Sequence, residues 1–540
     1  MRRAFRFFSR SALWAVTLVL ALPVLTVLAS WLQWNAVSAQ ILSEMTQSVL
    51  PDYVSTSLLL CFGVSVGVIS TGVVSAALVT LFDFPFRRTL EWALLLPLAM
   101  PAYVVAYAYT DFLQYSGPAQ NAIRLFTGWE GRVLPEVRSV WGAMCVFSLA
   151  LYPYVYLLAR AAMAERANHL MEAARLLGAP LWRRIGAVAL PLARPAIAAG
   201  TALALMETMA DFGVSSYFGI QTFTAGIYKA WLVMDNRIAA AQLATVLLLA
   251  VTVLLTLEQR AQSRLRFATG RSDAQGTEAR AQVLSGLPAW LAFGLCFVPV
   301  LLGFVLPVIV MVRALLESMQ SMDLPWWRFW QWTLTSLALG GVTAVLAVCV
   351  AVWLSSQVRL TGTPLTRGLM RVVGLGYAVP GAVIVVGLLL PLGWVQSVWP
   401  QSGAGYWLTA TVVGLVWAYL VRFVAVALQS VGSGYARIPC SLDESAQMLG
   451  VSGWRLVTRV HAPMLKKPVA AALLLVLVDV MKELPATLVL RPFNTDTLAV
   501  MAYQLARDER LGEAALPSLA LVVVGLWPVI LLSRTLRRTS

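Results

Sequence analysis

The chain has 540 residues, of which 59% are hydrophobic and only 12% are charged. Soluble globular domains carry about 25% charged residues, so a string of soluble domains is excluded. The net charge of +15 does not indicate nucleic-acid binding. The basic residues stand in small groups between apolar runs, and no basic stripe is present. Composition therefore predicts an all-α integral membrane protein whose main surroundings are the lipid bilayer.

Apolar runs of about 20 residues predict membrane-spanning helices. The first run resembles a signal peptide, with Val37-Ser38-Ala39 as a cleavage site, but it is long enough to span the bilayer and we expect it to stay uncleaved. We expect about twelve spans, near residues 12–32, 54–82, 90–112, 140–162, 195–220, 239–257, 288–316, 333–355, 370–392, 408–430, 468–489 and 515–534.

Basic residues are distributed unequally between the two sides of these spans. If the N-terminus is cytoplasmic, most of the 40 Lys and Arg residues fall on the cytoplasmic side, including Arg2, Arg3, Arg87, Arg88 and Arg537. The positive-inside rule therefore predicts that both termini are cytoplasmic.

One motif occurs twice in the chain. The segment 172–191, which begins EAARLLG and ends LP, recurs as 444–463 at an offset of 272 residues. Ser57 and Pro101 also match Ser336 and Pro380, at an offset of 279. We therefore predict two tandem repeats of six helices each. Because each repeat has an even number of spans, both have the same orientation, and their pseudo-two-fold axis should lie along the membrane normal.

The two repeats are joined by a polar segment, residues 258–285, that is rich in Arg, Gln and Ser and has no apolar stripe. Such a composition favours a flexible linker. We predict a first repeat at residues 1–262, a cytoplasmic linker at 263–286 and a second repeat at 287–540.

The motif itself predicts a helix, a turn and a second helix. Residues 170–177 have apolar positions spaced three to four apart, Gly178 suits a C-terminal turn with positive φ, and Pro180 suits the first turn of the next helix. For one copy, an ordinary surface helix on the bilayer is an equally good interpretation. Two copies in matching loops favour a dedicated structure.

The pattern E-A-A, three residues, Gly, nine residues, an aliphatic, one residue and Leu-Pro resembles the cytoplasmic signature loop of bacterial ABC importer permeases. The first copy matches throughout, whereas the second has Ser445 for the middle alanine and Ala462 before its proline. The resemblance implies a type I ABC importer permease fold. It also implies an ATPase-coupling role for the matching residues Glu172, Ala173, Ala174, Gly178, Pro191, Glu444, Ala446, Gly450 and Pro463.

Two further stretches, 211–231 and 482–493, resemble the fused, double-length permeases of the ferric iron importer family. This resemblance implies import of ferric iron from the periplasm across the bacterial inner membrane. Related fused permeases carry thiamine and other small solutes. The alternative is therefore a permease of the same class for thiamine, phosphate or a polyamine.

The sequence contains no phosphate-binding loop of the form G-x-x-x-x-G-K-[ST], because none of its four lysines follows a glycine. We therefore expect a transport subunit that is not an enzyme and binds no cofactor. The resemblance implies that a separate cytoplasmic ABC ATPase dimer binds ATP and Mg, with one subunit under each signature loop, and that a periplasmic substrate-binding protein delivers the cargo. A membrane enzyme is a third hypothesis, but no nucleophile–base set or metal-ligand cluster supports it.

Four carboxylates occupy equivalent positions in or near the fifth and eleventh predicted spans. Glu207 and Asp211 match Asp479 and Glu483 at the offset of 272, and each pair is spaced i, i+4 on one helix face. Ionisable residues in a span tend to face a cavity or a partner, and oxygen ligands suit a hard cation. We predict that these acids line the substrate pathway. The alternative is a structural ion pair, with Lys482 as the nearest partner, or helix ends in the headgroup zone.

Both histidines, His169 and His461, lie in the loops that carry the motif, where we expect them to face solvent. Imidazole therefore cannot line the outer pathway, which disfavours a zinc-like or copper-like site. The identity of any metal ligands stays unknown from the sequence.

Overall fold

The computed structural model describes residues 2–32, 36–129, 131–164, 173–269, 282–321 and 325–538. Nearly all of this part of the chain is helical. The helices of the first half are α1 (Arg2–Ala29), α2 (Ala36–Gln47), α3 (Leu50–Leu81), α4 (Arg87–Ala93), α5 (Ala102–Leu113), α6 (Pro118–Thr127), α7 (Val140–Ala162), α8 (Leu181–Arg184), α9 (Leu190–Ala210), α10 (Gly213–Phe218), α11 (Phe223–Tyr228) and α12 (Arg237–Thr269).

The second half continues the same pattern of long helices with short ones between them. Its helices are α13 (Leu287–Val300), α14 (Leu306–Ser321), α15 (Trp326–Thr361), α16 (Pro364–Gly374), α17 (Gly381–Val398), α18 (Val412–Ala436), α19 (Cys440–Met448), α20 (Trp454–Leu456), α21 (Ala462–Met464), α22 (Lys466–Lys482), α23 (Pro485–Leu490), α24 (Leu498–Arg507) and α25 (Leu511–Arg538). Short 3₁₀ segments lie at Ser30–Leu32, Leu96–Ala99, Leu375–Ala378 and Pro400–Ser402, and π-helical turns lie at Ile185–Ala189, Lys229–Val233, Leu301–Val305, Tyr406–Ala410 and Val457–His461.

Ten helices in the described ranges are long and apolar enough to cross a membrane, and a bent pair counts as an eleventh. The bent pair replaces the span predicted near 90–112: it turns by 92° at Met100 and Pro101. Met100 is extended, since a residue before proline avoids the helical region, and Pro101 has φ −59° and ψ 141°. The span predicted near 468–489 is the 17-residue helix α22, followed by a break and α23. The lower number of spans than the predicted twelve therefore comes from helix breaks, and the spans predicted near 195–220 and 370–392 also contain breaks, after Ala210 and at Val379 and Pro380.

The predicted linker is structured at both of its ends. Helix α12 continues to Thr269, past the predicted linker start at residue 263. Two-residue strands β1 (Phe82–Asp83) and β2 (Gln282–Val283) pair in parallel, with Phe82 opposite Gln282. Residues 270–281 lie outside the described ranges.

The chain forms two compact units, and each draws on both sequence halves. Unit 1 consists of Met1–Glu44, Gly226–Leu248 and Pro325–Met501. In it α15, α18 and α22 pack together, and α1 packs along α17. Thr26 on α1 donates to the Gly387 carbonyl of α17, and the Trp417 indole donates to the Val19 carbonyl at 3.0 Å. A helix from the start of the chain thus completes a bundle built mainly from the second half.

Unit 2 consists of Met45–Ala225, Leu249–Leu324 and Ala502–Ser540. In it α3, α7 and α9 pack together, and α14 packs against α25 and α5. Gly63, Gly67 and Gly72 lie along α3, and a Cβ at any of them would overlap atoms of α7. Small residues of this kind let two membrane helices approach closely. The compact units therefore have other bounds than the duplicated segments predicted at 1–262 and 287–540.

Candidate functional site

Both copies of the motif contain the same backbone turn. We call residues 163–191 loop 1, which is described at residues 163–164 and 173–191, and residues 437–463 loop 2. Gly178 in loop 1 has a φ of 78°, and Gly450 in loop 2 has a φ of 79°. The amide after each glycine donates to the carbonyl five residues earlier, at 3.0 Å in loop 1 and 2.9 Å in loop 2. This bond closes the end of a helix around a left-handed residue, as the motif predicts.

The second half of each loop is also duplicated. A π-helical turn lies at Ile185–Ala189 in loop 1 and at Val457–His461 in loop 2, at the same offset of 272. Such turns are rare, and they occur often at functional sites. Pro191 and Pro463 each follow the π-helical turn, in the first turn of the next helix, where a missing N–H costs nothing.

The predicted glycines are exposed in both loops, whereas the other predicted coupling residues that are described in both loops differ in exposure. Glu172 lies outside the described residues, whereas Glu444, at the equivalent position, is exposed. Ala173, Gly178 and Gly450 are exposed, Ala174 is half-buried and Ala446 is buried. The motif therefore presents its turn to the outside and directs its last alanine inward.

Large apolar side chains stand on the outside of both loops at equivalent positions, and each is at least 52% exposed: Leu176, Leu177 and Trp182 in loop 1, and Met448, Leu449 and Trp454 in loop 2. Exposed apolar patches of this kind are typical of surfaces that bind another protein. These residues are not among the predicted coupling residues, although apolar residues flank both turns at the repeat spacing.

A buried network holds loop 2 in place. Arg359 Nε at the end of α15 donates to Asp443 Oδ2 at 2.6 Å, and His461 Nε2 donates to Asp443 Oδ1 at 2.9 Å. Arg359 also donates to the Ile438 carbonyl at 2.9 Å. Burial raises the pKa of Asp443, but the hydrogen bonds from Arg359 and His461 outweigh it, so the pKa lies below its ordinary value. The prediction that His461 faces solvent is wrong, because this side chain is fully buried. His169 lies outside the described residues.

Loop 1 does not have the side chains for this network. The residues that match Arg359, Asp443 and His461 at the repeat offsets are Thr80, Met171 and Ala189. At the start of loop 1, Arg160 of α7 instead forms an ion pair with Glu91 of α4. The two loops therefore share a backbone and differ in the side chains that hold it.

Asp211 and Glu483 lie at equivalent helix breaks. Each follows the last residue of its helix with an extended backbone, at φ −71° and ψ 133° for Asp211 and φ −69° and ψ 123° for Glu483. Asp211 Oδ1 accepts from the Val214 amide at 2.8 Å, and Glu483 Oε1 accepts from the Ala486 amide at 2.8 Å. Each carboxylate thus caps the first turn of the next short helix, α10 or α23. This geometry favours the helix-end alternative for these two acids.

Both oxygens of the Glu483 carboxylate accept hydrogen bonds from neighbouring residues. Only 5% of the residue is exposed, and its Oε2 accepts from the Thr487 amide at 3.0 Å and from the Thr487 hydroxyl at 2.6 Å. Arg422 Nη1 lies 3.9 Å from Oε1. The expected partner, Lys482, interacts instead with Asp479. A carboxylate with three hydrogen bonds and a buried guanidinium is built as part of the fold.

Asp211, Glu207 and Asp479 are more accessible than Glu483, since each is half-buried. The Asp211 backbone carbonyl accepts from the Thr224 hydroxyl at 2.7 Å. In the described part of the chain, no three His, Cys, Asp or Glu side chains lie close enough together to hold a metal ion. A cation that passes these acids would need other oxygen ligands as well.

Comparison with known proteins agrees with this architecture. The model of the family described as "Binding-protein-dependent transport system inner membrane component" matches the chain over residues 68–267 and 345–538, one match in each half. The Fe(3+)-transport system permease protein FbpB 2 of Haemophilus influenzae is 25% identical over 90% of both chains. The putative 2-aminoethylphosphonate transport system permease protein PhnV of Salmonella typhimurium is 28% identical over 39% of this chain and 76% of its own. The putative molybdenum transport system permease protein YvgM of Bacillus subtilis is 24% identical over 36% of this chain and 86% of its own.

Proposed function

This chain belongs to the family of inner membrane components of binding-protein-dependent transport systems, and we propose that it is the permease of an ATP-driven importer for ferric iron. The observation that carries the choice of cargo is the extent of the likeness. The relative named for Fe(3+) transport matches 90% of this chain, including both repeats. The relatives named for 2-aminoethylphosphonate and molybdenum match less than half of it.

The proposed partner at loops 1 and 2 is a cytoplasmic ABC ATPase dimer that binds ATP and Mg. Support comes from the two identical turns and from the exposed apolar residues beside them, since a symmetric dimer needs two equivalent contact surfaces. In this proposal Glu172, Ala173, Ala174, Gly178 and Pro191 act in loop 1, and Glu444, Ala446, Gly450 and Pro463 act in loop 2. A periplasmic substrate-binding protein delivers the cargo, and both termini of this multi-pass inner membrane protein lie in the cytoplasm.

The proposed pathway for the cation includes the acids Glu207, Asp211 and Asp479, whereas Glu483, the fourth predicted acid, is held within the fold. A trivalent cation has a steep desolvation barrier in an apolar channel, and carboxylates along the way lower that barrier. The number of ligands at any one point of the pathway must stay small, because a closed cage of ligands would trap the ion.

Uptake of labelled ferric iron tests the proposed function. A strain that lacks the chromosomal copy is complemented with this chain and its ATPase and binding protein, and uptake is measured for iron, thiamine and 2-aminoethylphosphonate in parallel. We expect ATP-dependent uptake of iron alone. Uptake of another solute with no uptake of iron would overturn the choice of cargo, whereas ATP-independent uptake would overturn the importer class.

A further inference from the structure

Unit 2 contains a cluster of buried hydroxyl groups near Asp211 that the sequence analysis did not identify. Tyr103 and Tyr107 lie one helical turn apart on α5, so they share a face. Ser215 and Tyr217 are on α10, and Tyr503 is on α24. We call these five residues the tyrosine site.

The members of the tyrosine site lie against one another. The Tyr107 ring is 5.7 Å from the Tyr103 ring and 4.6 Å from the Tyr217 ring, centroid to centroid. Tyr107 also interacts electrostatically with Tyr503 and with the Asp211 carboxylate. All four tyrosines are at most 7% exposed. Several phenol groups and one carboxylate therefore occupy one buried region of unit 2.

Two hydroxyls of the site have no hydrogen-bond partner among the described residues: Tyr107 OH and Ser215 Oγ. Both side chains are fully buried. A buried hydroxyl without a partner destabilises the fold, so the fold itself does not require these groups. A ligand that enters the site would satisfy them.

The rest of the site is arranged to support negative oxygen atoms. Arg138 Nη2 donates to the Tyr217 hydroxyl at 3.4 Å, and the Arg138 guanidinium lies 4.9 Å from the Tyr217 ring centroid. Arg138 Nη1 also lies 3.5 Å from Glu509 Oε1, which balances its charge. The Tyr503 hydroxyl is bonded to Ser216 Oγ at 2.8 Å. The Tyr217 hydroxyl thus has a guanidinium as its neighbour.

Unit 1 has no such site at the equivalent positions. The residues that match Tyr103, Tyr107 and Tyr217 at the repeat offsets are Ala382, Val386 and Val489. At the break in unit 1, the Tyr419 hydroxyl is bonded to the Thr487 hydroxyl at 2.7 Å, so it has a partner within the fold. The repeated fold therefore forms without the tyrosine site, and the site is specific to unit 2.

We propose that the tyrosine site, together with Asp211, binds the ferric cargo during its passage through the permease. This inference rests on the proposed function. Phenol and carboxylate oxygens are hard ligands that suit a hard trivalent cation. Each phenol that coordinates the ion loses its proton, so binding releases protons to solvent. The Asp211 carboxylate beside Tyr107 disfavours an anionic cargo at the same place.

The test removes single hydroxyls and keeps the rings. In the purified permease–ATPase–binding-protein complex in vesicles, Tyr107→Phe should lower ATP-dependent uptake of labelled ferric iron about tenfold, as expected for one lost ligand to a charged species. Tyr152→Phe is the matched control. Tyr152 is also fully buried in unit 2, and its hydroxyl also has no partner among the described residues, but its neighbours are Tyr156 and Cys296.

A second measurement does not depend on transport. Ferric citrate added to the parent complex should give the visible charge-transfer absorption of a phenolate bound to Fe(III), with release of protons. This absorption should be weakened in Tyr107→Phe and in Tyr217→Phe, and unchanged in Tyr152→Phe.

The outcomes separate this inference from the proposed function. If the parent takes up no iron, the proposed function fails. If the parent takes up iron and Tyr107→Phe equals Tyr152→Phe in both uptake and absorption, the tyrosine site is overturned while the iron permease stands. Thermal stability should be equal in the two variants, because neither loses a hydrogen bond within the protein.

Discussion

Units 1 and 2 contain copies of the same repeat, but the polar side chains at equivalent positions have different hydrogen-bond partners. In unit 1, Glu483 accepts three hydrogen bonds and has Arg422 beside it, and Asp443 joins Arg359 to His461. In unit 2, the equivalent break at Asp211 is next to buried hydroxyls without partners among the described residues. At these two helix breaks, unit 1 uses its polar groups to hold the fold, whereas unit 2 keeps buried hydroxyls available for a ligand.

The backbone does not explain this difference. The φ angles at Gly178 and Gly450 are 78° and 79°. The short helices α10 and α23 begin at the same repeat position, Gly213 in unit 2 and Pro485 in unit 1. One scaffold has therefore kept its geometry in both copies while its side chains acquired different roles.

The largest expected effect comes from separating the two sequence halves. Each compact unit takes segments from both halves, so residues 1–270 alone and residues 271–540 alone should each fail to reach a protease-resistant state. Co-expression of the two pieces should restore resistance and a part of the iron uptake. The matched control is the intact chain with a protease site between residues 270 and 271, cut after assembly. A single half that is stable and resistant alone would contradict the interleaved units.

The second-largest expected effect is a difference in stability between variants of Glu483 and Asp211, the carboxylates at the two helix breaks. Glu483→Gln should lower the free energy of unfolding by about 3–5 kcal/mol, because it leaves Arg422 without this counter-charge in a buried place. Asp211→Asn should change it by less than about 1 kcal/mol, since asparagine caps a helix as well as aspartate does.

Thermal unfolding in detergent gives the stability of both variants, and uptake of labelled iron gives their transport. For Asp211→Asn we expect reduced uptake at nearly normal stability. Equal losses of stability in the two variants would show that the breaks are held alike, which would remove the contrast between the units.

A smaller effect concerns the anchor of loop 2. Asp443→Asn should cost about 1.5–3 kcal/mol near neutral pH, because the amide has no charge and only one of the two acceptor oxygens that Arg359 and His461 use. The folded-state pKa of Asp443 lies below its ordinary 3.8, so its contribution is complete above that value and is lost as pH falls through the folded pKa. The difference in thermal midpoint between the parent and the variant should stay constant from about pH 7 to pH 5 and close below about pH 4.

Asp508→Asn is the control for this experiment, since Asp508 is exposed at the end of α24. It should show no difference at any pH in this range. If the difference in thermal midpoint between the parent and Asp443→Asn grows as the pH falls, the pH dependence is opposite to the expected one. That result would exclude the network as the anchor of loop 2.

Features that depend on local sequence could be predicted. The turn at Gly178 and its copy at Gly450 follow from a residue that tolerates positive φ after a helix, and the membrane-spanning helices follow from apolar length. The breaks after Ala210 and Lys482 also have local signals: a carboxylate within an apolar run, and at Pro485 a residue that interrupts helical hydrogen bonds. The prediction of one continuous span over each of these runs is therefore wrong at a position that has a local signal.

Features that depend on tertiary packing could not be predicted. Arg422 lies on α18 and reaches Glu483 only because α18 packs against α22. The tyrosine site joins residues of α5, α10 and α24, whose sequences read separately are ordinary apolar segments. The packing of α1 on α17 joins segments that are more than 350 residues apart, as the Thr26–Gly387 hydrogen bond shows. No periodicity within a helix contains that information.

The last comparison of stability concerns the turns of the two loops. Gly178→Val and Gly450→Val should each cost about 1–2 kcal/mol or more, because a residue with a Cβ disfavours the left-handed conformation. A Cβ at either glycine meets no atom of the described chain within 4 Å, so the substitution acts on the turn alone. Gly186→Ala is the matched control, since Gly186 has the same open surroundings in loop 1 and no positive φ.

Uptake and stimulation of the partner ATPase should fall for both valine variants while membrane insertion stays normal. The loss should be larger for Gly178→Val, because Asp443 and His461 hold loop 2 on both sides of its turn and loop 1 has Met171 and Ala189 at those positions. If both variants couple like Gly186→Ala, the loops do not transmit force from the ATPase. If Gly450→Val is the more damaging of the two, the buried network does not protect its loop.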